Sequence, residues 1–149
     1  MAKRGFWVGL ALLLTGCGVP VVAVAPGFEP LTLEGRAGGA VASAPCGYVP
    51  HHPQHRLQMT ADMDYLKFEV RDAPRVTLLI KAADGWFCAT PIQDRPAQIS
   101  GYWQAGVYDI FLGSLDPGQS PPYRLVITGA KSLPSAAPPA NPSLPGRHR

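Results

Sequence analysis

The sequence has no stretch in which apolar residues recur at helical spacing, which excludes a helical bundle or a parallel sheet wrapped in helices. It also lacks a long hydrophobic run. The run from Phe6 to Leu14 spans nine residues, whereas a helix needs about 20 to cross a bilayer. Charge is scarce, at 15% of residues with a net +3, and that excess sits at the ends: Lys3 and Arg4 open the chain, and Lys131, Arg147 and Arg149 close it. Between residues 31 and 129 there are eight Lys or Arg against nine Asp or Glu. A near-neutral middle offers no basic face for a nucleic acid. No Gly-rich loop opens a helix to hold phosphate. Ser114, in Gly113-Ser114-Leu115, lacks the second glycine of a nucleophile elbow. Two isolated cysteines beyond the first, with no C-x-x-C, do not make a zinc site. No catalytic constellation emerges and no cofactor is expected.

What is present starts with an address. Lys3 and Arg4, the apolar stretch from Phe6 to Leu14 and the small residues after it follow the order of an export signal. Leu14-Thr15-Gly16-Cys17 reads as a lipobox, with residues 1–16 as the removed signal and Cys17 as the acylated first residue of the mature protein. Acyl chains at about 0.8 kcal/mol per buried methylene make such an anchor permanent once more than one is attached. Residue 18 is Gly rather than Asp, which in Gram-negative lipoproteins implies transfer to the outer membrane. From Gly18 to Pro30 neither a helical nor a strand period holds, so residues 17–30 are expected to be a lipidated tether. Residues 130–149 carry Pro134, Pro138, Pro139, Pro142 and Pro145 among Ala and Ser and are expected to be a disordered tail.

Acylation of Cys17 resolves the odd cysteine count. Cys46 and Cys88 remain as a disulfide pair for an oxidising compartment; the alternative is two separate buried thiols. Between the tails the hydrophobic period is two. Leu57 and Met59, then Leu66, Phe68 and Val70, alternate with polar neighbours. Val76, Leu78 and Ile80 share one face of a run that leads through Asp84-Gly85, a hairpin signal, into Trp86-Phe87-Cys88. Further strands are expected at Leu31 to Leu33, Gln98 to Gly101, Val107 to Leu112 and Tyr123 to Thr128. Seven to eight short strands over residues 31–129 predict an all-β fold, an antiparallel β-sandwich or jelly roll.

Leu33-Glu34-Gly35-Arg36-Ala37-Gly38-Gly39, Cys46-Gly47-Tyr48-Val49-Pro50, Thr77-Leu78-Leu79-Ile80 leading to Asp84-Gly85-Trp86-Phe87-Cys88, Gly106 to Ser114 and Pro122 to Thr128 together resemble the pre-peptidase C-terminal domain group. The resemblance spans about residues 31–129 and implies a jelly-roll-like accessory domain, usually noncatalytic, working outside the cytoplasm beside enzymes or alone. Many members carry an acidic cluster just after the second cysteine. This chain has Ala89-Thr90-Pro91-Ile92-Gln93-Asp94 there, far fewer carboxylates than a calcium ion with about six to eight oxygen ligands calls for.

Two groups of side chains remain as candidates. His51, His52 and His55 are the densest titratable cluster and the one metal-binding candidate, though Pro50 and Pro53 disfavour the helix that would align them. Trp86, Trp103 and Phe111 would form a stacking platform for a sugar or peptide if the sheet face opposite Tyr108, Ile110 and Leu112 were open; core packing is the competing use of such rings. The expectation is therefore a lipid-anchored envelope protein whose noncatalytic β domain serves interaction or structure, with an envelope protein or polysaccharide as partner. The alternatives are a carbohydrate-binding module built on the aromatics and a metal-dependent envelope enzyme built on the histidines. The expected location is the outer membrane, facing the periplasm or the cell surface.

Overall fold

A computed structural model describes residues 18–129. The expected export signal over residues 1–16, Cys17 and the Pro-rich residues 130–149 lie outside the described residues. Within them the chain makes eleven strands: β1 (Val21–Val24), β2 (Leu31–Arg36), β3 (Val41–Ala42), β4 (Tyr48–Val49), β5 (His55–Met59), β6 (Met63–Arg71), β7 (Val76–Ala82), β8 (Gly85–Ala89), β9 (Gln98–Trp103), β10 (Gly106–Ser114) and β11 (Pro122–Thr128). They form two sheets. One has four strands in the order β2-β11-β6-β9. The other has seven, with β10 at its centre: β7 and then β8 follow on one edge, while β5 and β4 share the other, carrying β1 and β3 outside them. All pairings are antiparallel except that of β1 with β5. The expected all-β sandwich is present, with more strands than the period-two signal disclosed.

Alternation explains the layering. Leu57 and Met59 on β5, Leu78 and Ile80 on β7, and Ile110 and Leu112 on β10 point inward from one sheet. Leu66, Phe68 and Val70 on β6 and Leu125 and Ile127 on β11 meet them from the other. Each such side chain contributes about 1.5–3 kcal/mol by leaving water, and together they hold the sheets face to face.

Residues 17–30 are not simply a tether. Val21–Val24 pair with Arg56–Met59, Val24 enters the core and Phe28 packs against it. The segment gave no strand signal because it is apolar at nearly every position, and only Val22 and Val24 face inward. Strands β3 and β4, two residues each, were too short to show a period.

These two short strands lie across the outside of the seven-stranded sheet. There Cys46, Val49, Leu79 and Phe111 form a second apolar cluster, with Val41 and Cys88 against it. Cys46 is bonded to Cys88, which clamps the β3–β4 segment to edge strand β8. Gly113 makes the close approach feasible. A Cβ there would lie 2.9 Å from the carbonyl oxygen of Cys46 and would also collide with the Thr77 hydroxyl. That hydroxyl, fully buried, donates to the same Cys46 carbonyl at 2.7 Å.

Two stability outcomes follow. Val24→Ala should lower unfolding free energy in urea by about 2 kcal/mol, as expected for emptying a buried apolar site; a loss within about 0.3 kcal/mol would show that β1 does not belong to the folded unit. Replacing both Cys46 and Cys88 by Ala should cost up to about 4 kcal/mol for a loop of 42 residues. The same pair of changes should expose Phe111, read as increased binding of an apolar dye; unchanged dye binding would mean that the β3–β4 cover holds without its covalent clamp.

Candidate interaction surface

The strand register places four side chains in one row across the outer face of the seven-stranded sheet: Arg56 on β5, Asp109 on β10, Lys81 on β7 and Trp86 on β8. Arg56 Nε donates to Asp109 Oδ1 at 2.6 Å, and its Nη2 reaches Oδ2 at 3.3 Å. The bond to Asp109, reinforced by its charge, raises the Arg56 pKa. Lys81 Nζ stands 5.2 Å from the centre of the Trp86 ring, a distance at which the cation is drawn to the π-face. Val21 and Val107 extend the face and are exposed.

The row contains one of the three expected platform residues. Trp86 is 55% exposed, whereas Phe111 is 7% exposed beneath it, with ring centroids 5.8 Å apart. The disulfide-clamped cover takes the rest of the Phe111 surface. Trp103 lies elsewhere, 5% exposed between the sheets, its Nε1 donating to the Leu66 carbonyl at 3.2 Å. The structure therefore does not join Trp86, Trp103 and Phe111 into a platform. The alternation along β10 correctly put Phe111 on the outer face, but nothing in the sequence revealed that β3 and β4 fold over it.

Trp103 instead floors a cleft at one pole of the sandwich, where the turns β5–β6, β7–β8 and β9–β10 meet. Its ring contacts Phe68, Phe87 and Tyr108 edge to face, with centroids 5.1–5.3 Å apart. Phe87 and Tyr102 are the exposed walls. Tyr102 Oη donates to Asp62 Oδ2 at 2.8 Å, and Asp62 Oδ1 accepts from the Ala105 amide at 2.8 Å. These two bonds hold the Asp62 carboxyl below its ordinary range, the amide being the stronger influence. The bond to Asp62 in turn raises the Tyr102 phenol. Phe87 is not among the site candidates of the sequence, although its place in the Trp86-Phe87-Cys88 run sets it opposite Trp86.

The three histidines separate. His51 and His52 are exposed in the connection before β5, while His55 is the first residue of β5 and is half-buried. The His55 Nε2 shares a hydrogen bond of 2.6 Å with the Tyr123 hydroxyl, and the rings meet edge on at 87°. Among the described residues no three His, Cys, Asp or Glu side chains converge, so His51, His52 and His55, the candidate cluster, do not meet as a ligand set. Gly35 faces Tyr123 across the β2–β11 pair, and a Cβ at that position would sit 2.6 Å from the phenol oxygen. Burial pushes the Tyr123 pKa up to about 12 and lowers that of His55.

The His55 shift gives folding a pH dependence. Burial disfavours the imidazolium, so the folded pKa lies below the ordinary value of about 6.5 and the unfolded chain takes up the proton first as pH falls. Stability is then full above about pH 6.5 and declines below it. The lowered carboxylates Asp62, Glu69 and Asp116 act in a more acidic range. Urea unfolding at about pH 7.5 and about pH 5.5 should show the loss in the native protein, and His55→Gln should reduce it. An identical loss in the variant would assign the dependence to other groups.

No protein-family model matches the chain. Among solved structures, the pre-peptidase C-terminal domain of collagenase from Bacillus anthracis superposes with a TM-score of 0.49 at 10% identity, over 76% of this chain and 99% of that one. Nothing of that domain's role is carried over at such a level of likeness. Sequence similarity is closer to a protein of Synechococcus elongatus described as uncharacterized, which is 38% identical over 103 residues, or 66% of this chain and 75% of that protein. The chain belongs to the family of that Synechococcus protein.

Proposed function

We propose that the protein is a lipid-anchored module of the cell envelope whose β-sandwich binds a partner and carries out no catalysis. The observation that supports this reading most is the polarity of the fold relative to Cys17. Strand β1 begins at Val21, leaving Gly18, Val19 and Pro20 between it and the acylation motif. Four residues of extended chain reach about 14 Å, so acylated Cys17 would hold the domain close against the bilayer rather than on a long tether.

The direction of β1 sets which end would face the lipid. Val21 pairs with Arg56 and Val24 with Met59, so the chain comes in from the pole of His51, His52 and Gln54 and runs toward the pole of Asp62, Asp84 and Tyr102. The exposed aromatic cleft would then point away from the membrane, where a partner could approach it. Gly18 at the position after Cys17 favours the outer membrane, and the role fits a module that recruits another envelope component.

Anchoring is the step to test. Mature protein from cell membranes should begin at Cys17 and carry the mass of a thioether-linked diacylglycerol with an added acyl chain. Cys17→Ala should move it from the membrane fraction to the soluble fraction. An unmodified mature N-terminus at another residue, or membrane association that survives Cys17→Ala, would remove the anchor and with it the orientation argued above.

A further inference from the structure

The cleft at the aromatic pole has a volume of about 210 Å³. Sites for drug-sized ligands run to about 300–1,000 Å³, so this one suits a single ring or one or two side chains. Phe87, Tyr102, Trp103 and Tyr108 line it together with Asp84 and Gln104. Asp62 fixes Tyr102 from behind. Asp64 adds to the charge acting on Tyr102, and the Tyr108 phenol is raised first by burial and then by the charges of Asp84 and Asp62. Among the described residues, none of Asp62, Asp64 and Asp84 is in an ion pair; the five pairs present involve other carboxylates. The pole thus joins exposed ring faces to carboxylates that make no ion pair among the described residues.

The chain carries the complementary chemistry in residues 130–149. That segment has five prolines, the cations Lys131, Arg147 and Arg149, and no Asp or Glu. Aromatic-lined grooves take proline-rich segments because such segments are already extended and lose little entropy on binding. Carboxylates beside the rings select the ones that also carry Arg. Strand β11 runs toward this pole, as its antiparallel pairing with β6 requires, and delivers the segment to the correct end of the sandwich. Reach is ample: twenty extended proline-rich residues span about 60 Å, against a radius of gyration of about 13 Å for a domain of this size.

We propose that this cleft is the docking site of the chain's own residues 130–149, with proline rings against Phe87 and Tyr102 and Arg147 or Arg149 near Asp84 and Asp64. Attachment to the same chain places the segment at an effective concentration in the millimolar range, so modest contacts suffice. The proposal does not depend on acylation of Cys17, and its failure would leave the anchoring test untouched.

Photocrosslinking in the full chain reads the contact directly. With Leu144→p-benzoylphenylalanine, irradiation should join residue 144 to peptides covering residues 82–87 or 102–108 of the same chain. Asp64→Lys combined with Asp84→Lys should reduce that product by about fivefold, the size expected for reversing two exposed charges. Arg147→Glu combined with Arg149→Glu should do the same, and those changes lie outside the sandwich and leave its packing alone. Crosslinks scattered over the domain, crosslinks found solely between chains, no crosslink, or a yield indifferent to both charge reversals would each overturn the proposal.

Discussion

The sandwich depends on how β10 satisfies its backbone. It is the central strand of the larger sheet, and every amide and carbonyl it buries needs a partner. On one edge β7 supplies them continuously from Asp109 to Ser114. On the other, β5 covers Gly106 to Ile110 and β4 reaches only Ser114. The gap at Leu112 is filled by a side chain: Gln54 Oε1 accepts from the Leu112 amide and Gln54 Nε2 donates to the Leu112 carbonyl, both at 2.9 Å. The same carbonyl accepts from the Gly38 amide at 2.9 Å. A primary amide offers a donor and an acceptor side by side, as a strand residue does, so Gln54 acts as one missing residue of sheet. An apolar residue at position 54 would leave two main-chain groups of β10 to other partners, at about 1–3 kcal/mol for each one left buried and unpaired.

That split edge also explains the cover on the outer face. Because β5 stops short, the chain between β2 and β5 has room to cross the end of β10, and Gly113 lets it lie close. Leu79 and Phe111 would otherwise be apolar side chains on a wet face. Covered by Val41, Val49 and the Cys46–Cys88 bond, they form a small core of their own. The disulfide joins a connection to an edge strand, two elements with few other ties, which is where a covalent bond constrains the chain most.

Sequence patterning disclosed the elements whose core-facing residues recur at every second position. β5, β6, β7, β10 and β11 do so, and each was legible with its inward face correctly oriented, although β7 and the second half of β10 are buried on both faces. Strands with a different environment were not. β1 consists of Val and Ala at every position, so no alternation marks it, and its pairing with β5 is parallel and distant in sequence. β3 and β4 are held by their place over the sheet rather than by a pattern. The candidate residues follow the same rule. Pairing of Cys46 with Cys88 could be argued from count and compartment, since both are local properties. The relation among Trp86, Trp103 and Phe111 depends on which sheet each joins and what lies above it, and His55 found its hydrogen-bond partner 68 residues away. None of that is encoded in spacing along the chain.

The two poles differ in chemistry because the connections at each end differ. At one end the turns β5–β6, β7–β8 and β9–β10 are short, so side chains at their ends crowd together and the aromatics of β8, β9 and β10 make contact. Their carboxylates are used locally, as when Asp62 accepts from Tyr102 and Ala105, or are left without a cation. At the other end the connections are longer and basic side chains are tied down: Arg75 grips Asp116 through two bonds of 2.7 and 2.8 Å, and Arg124 meets Asp72 at 2.8 Å. Glu34, Arg36, Asp94 and Arg95 share that end and are in none of the ion pairs among the described residues, so its open charges are of both signs. The pole with unpaired carboxylates and open rings retains both a field and a stacking surface, and binding there can neutralise charge without first breaking an ion pair. That difference, rather than the size of any cleft, is what sets the chemistry of the aromatic pole apart.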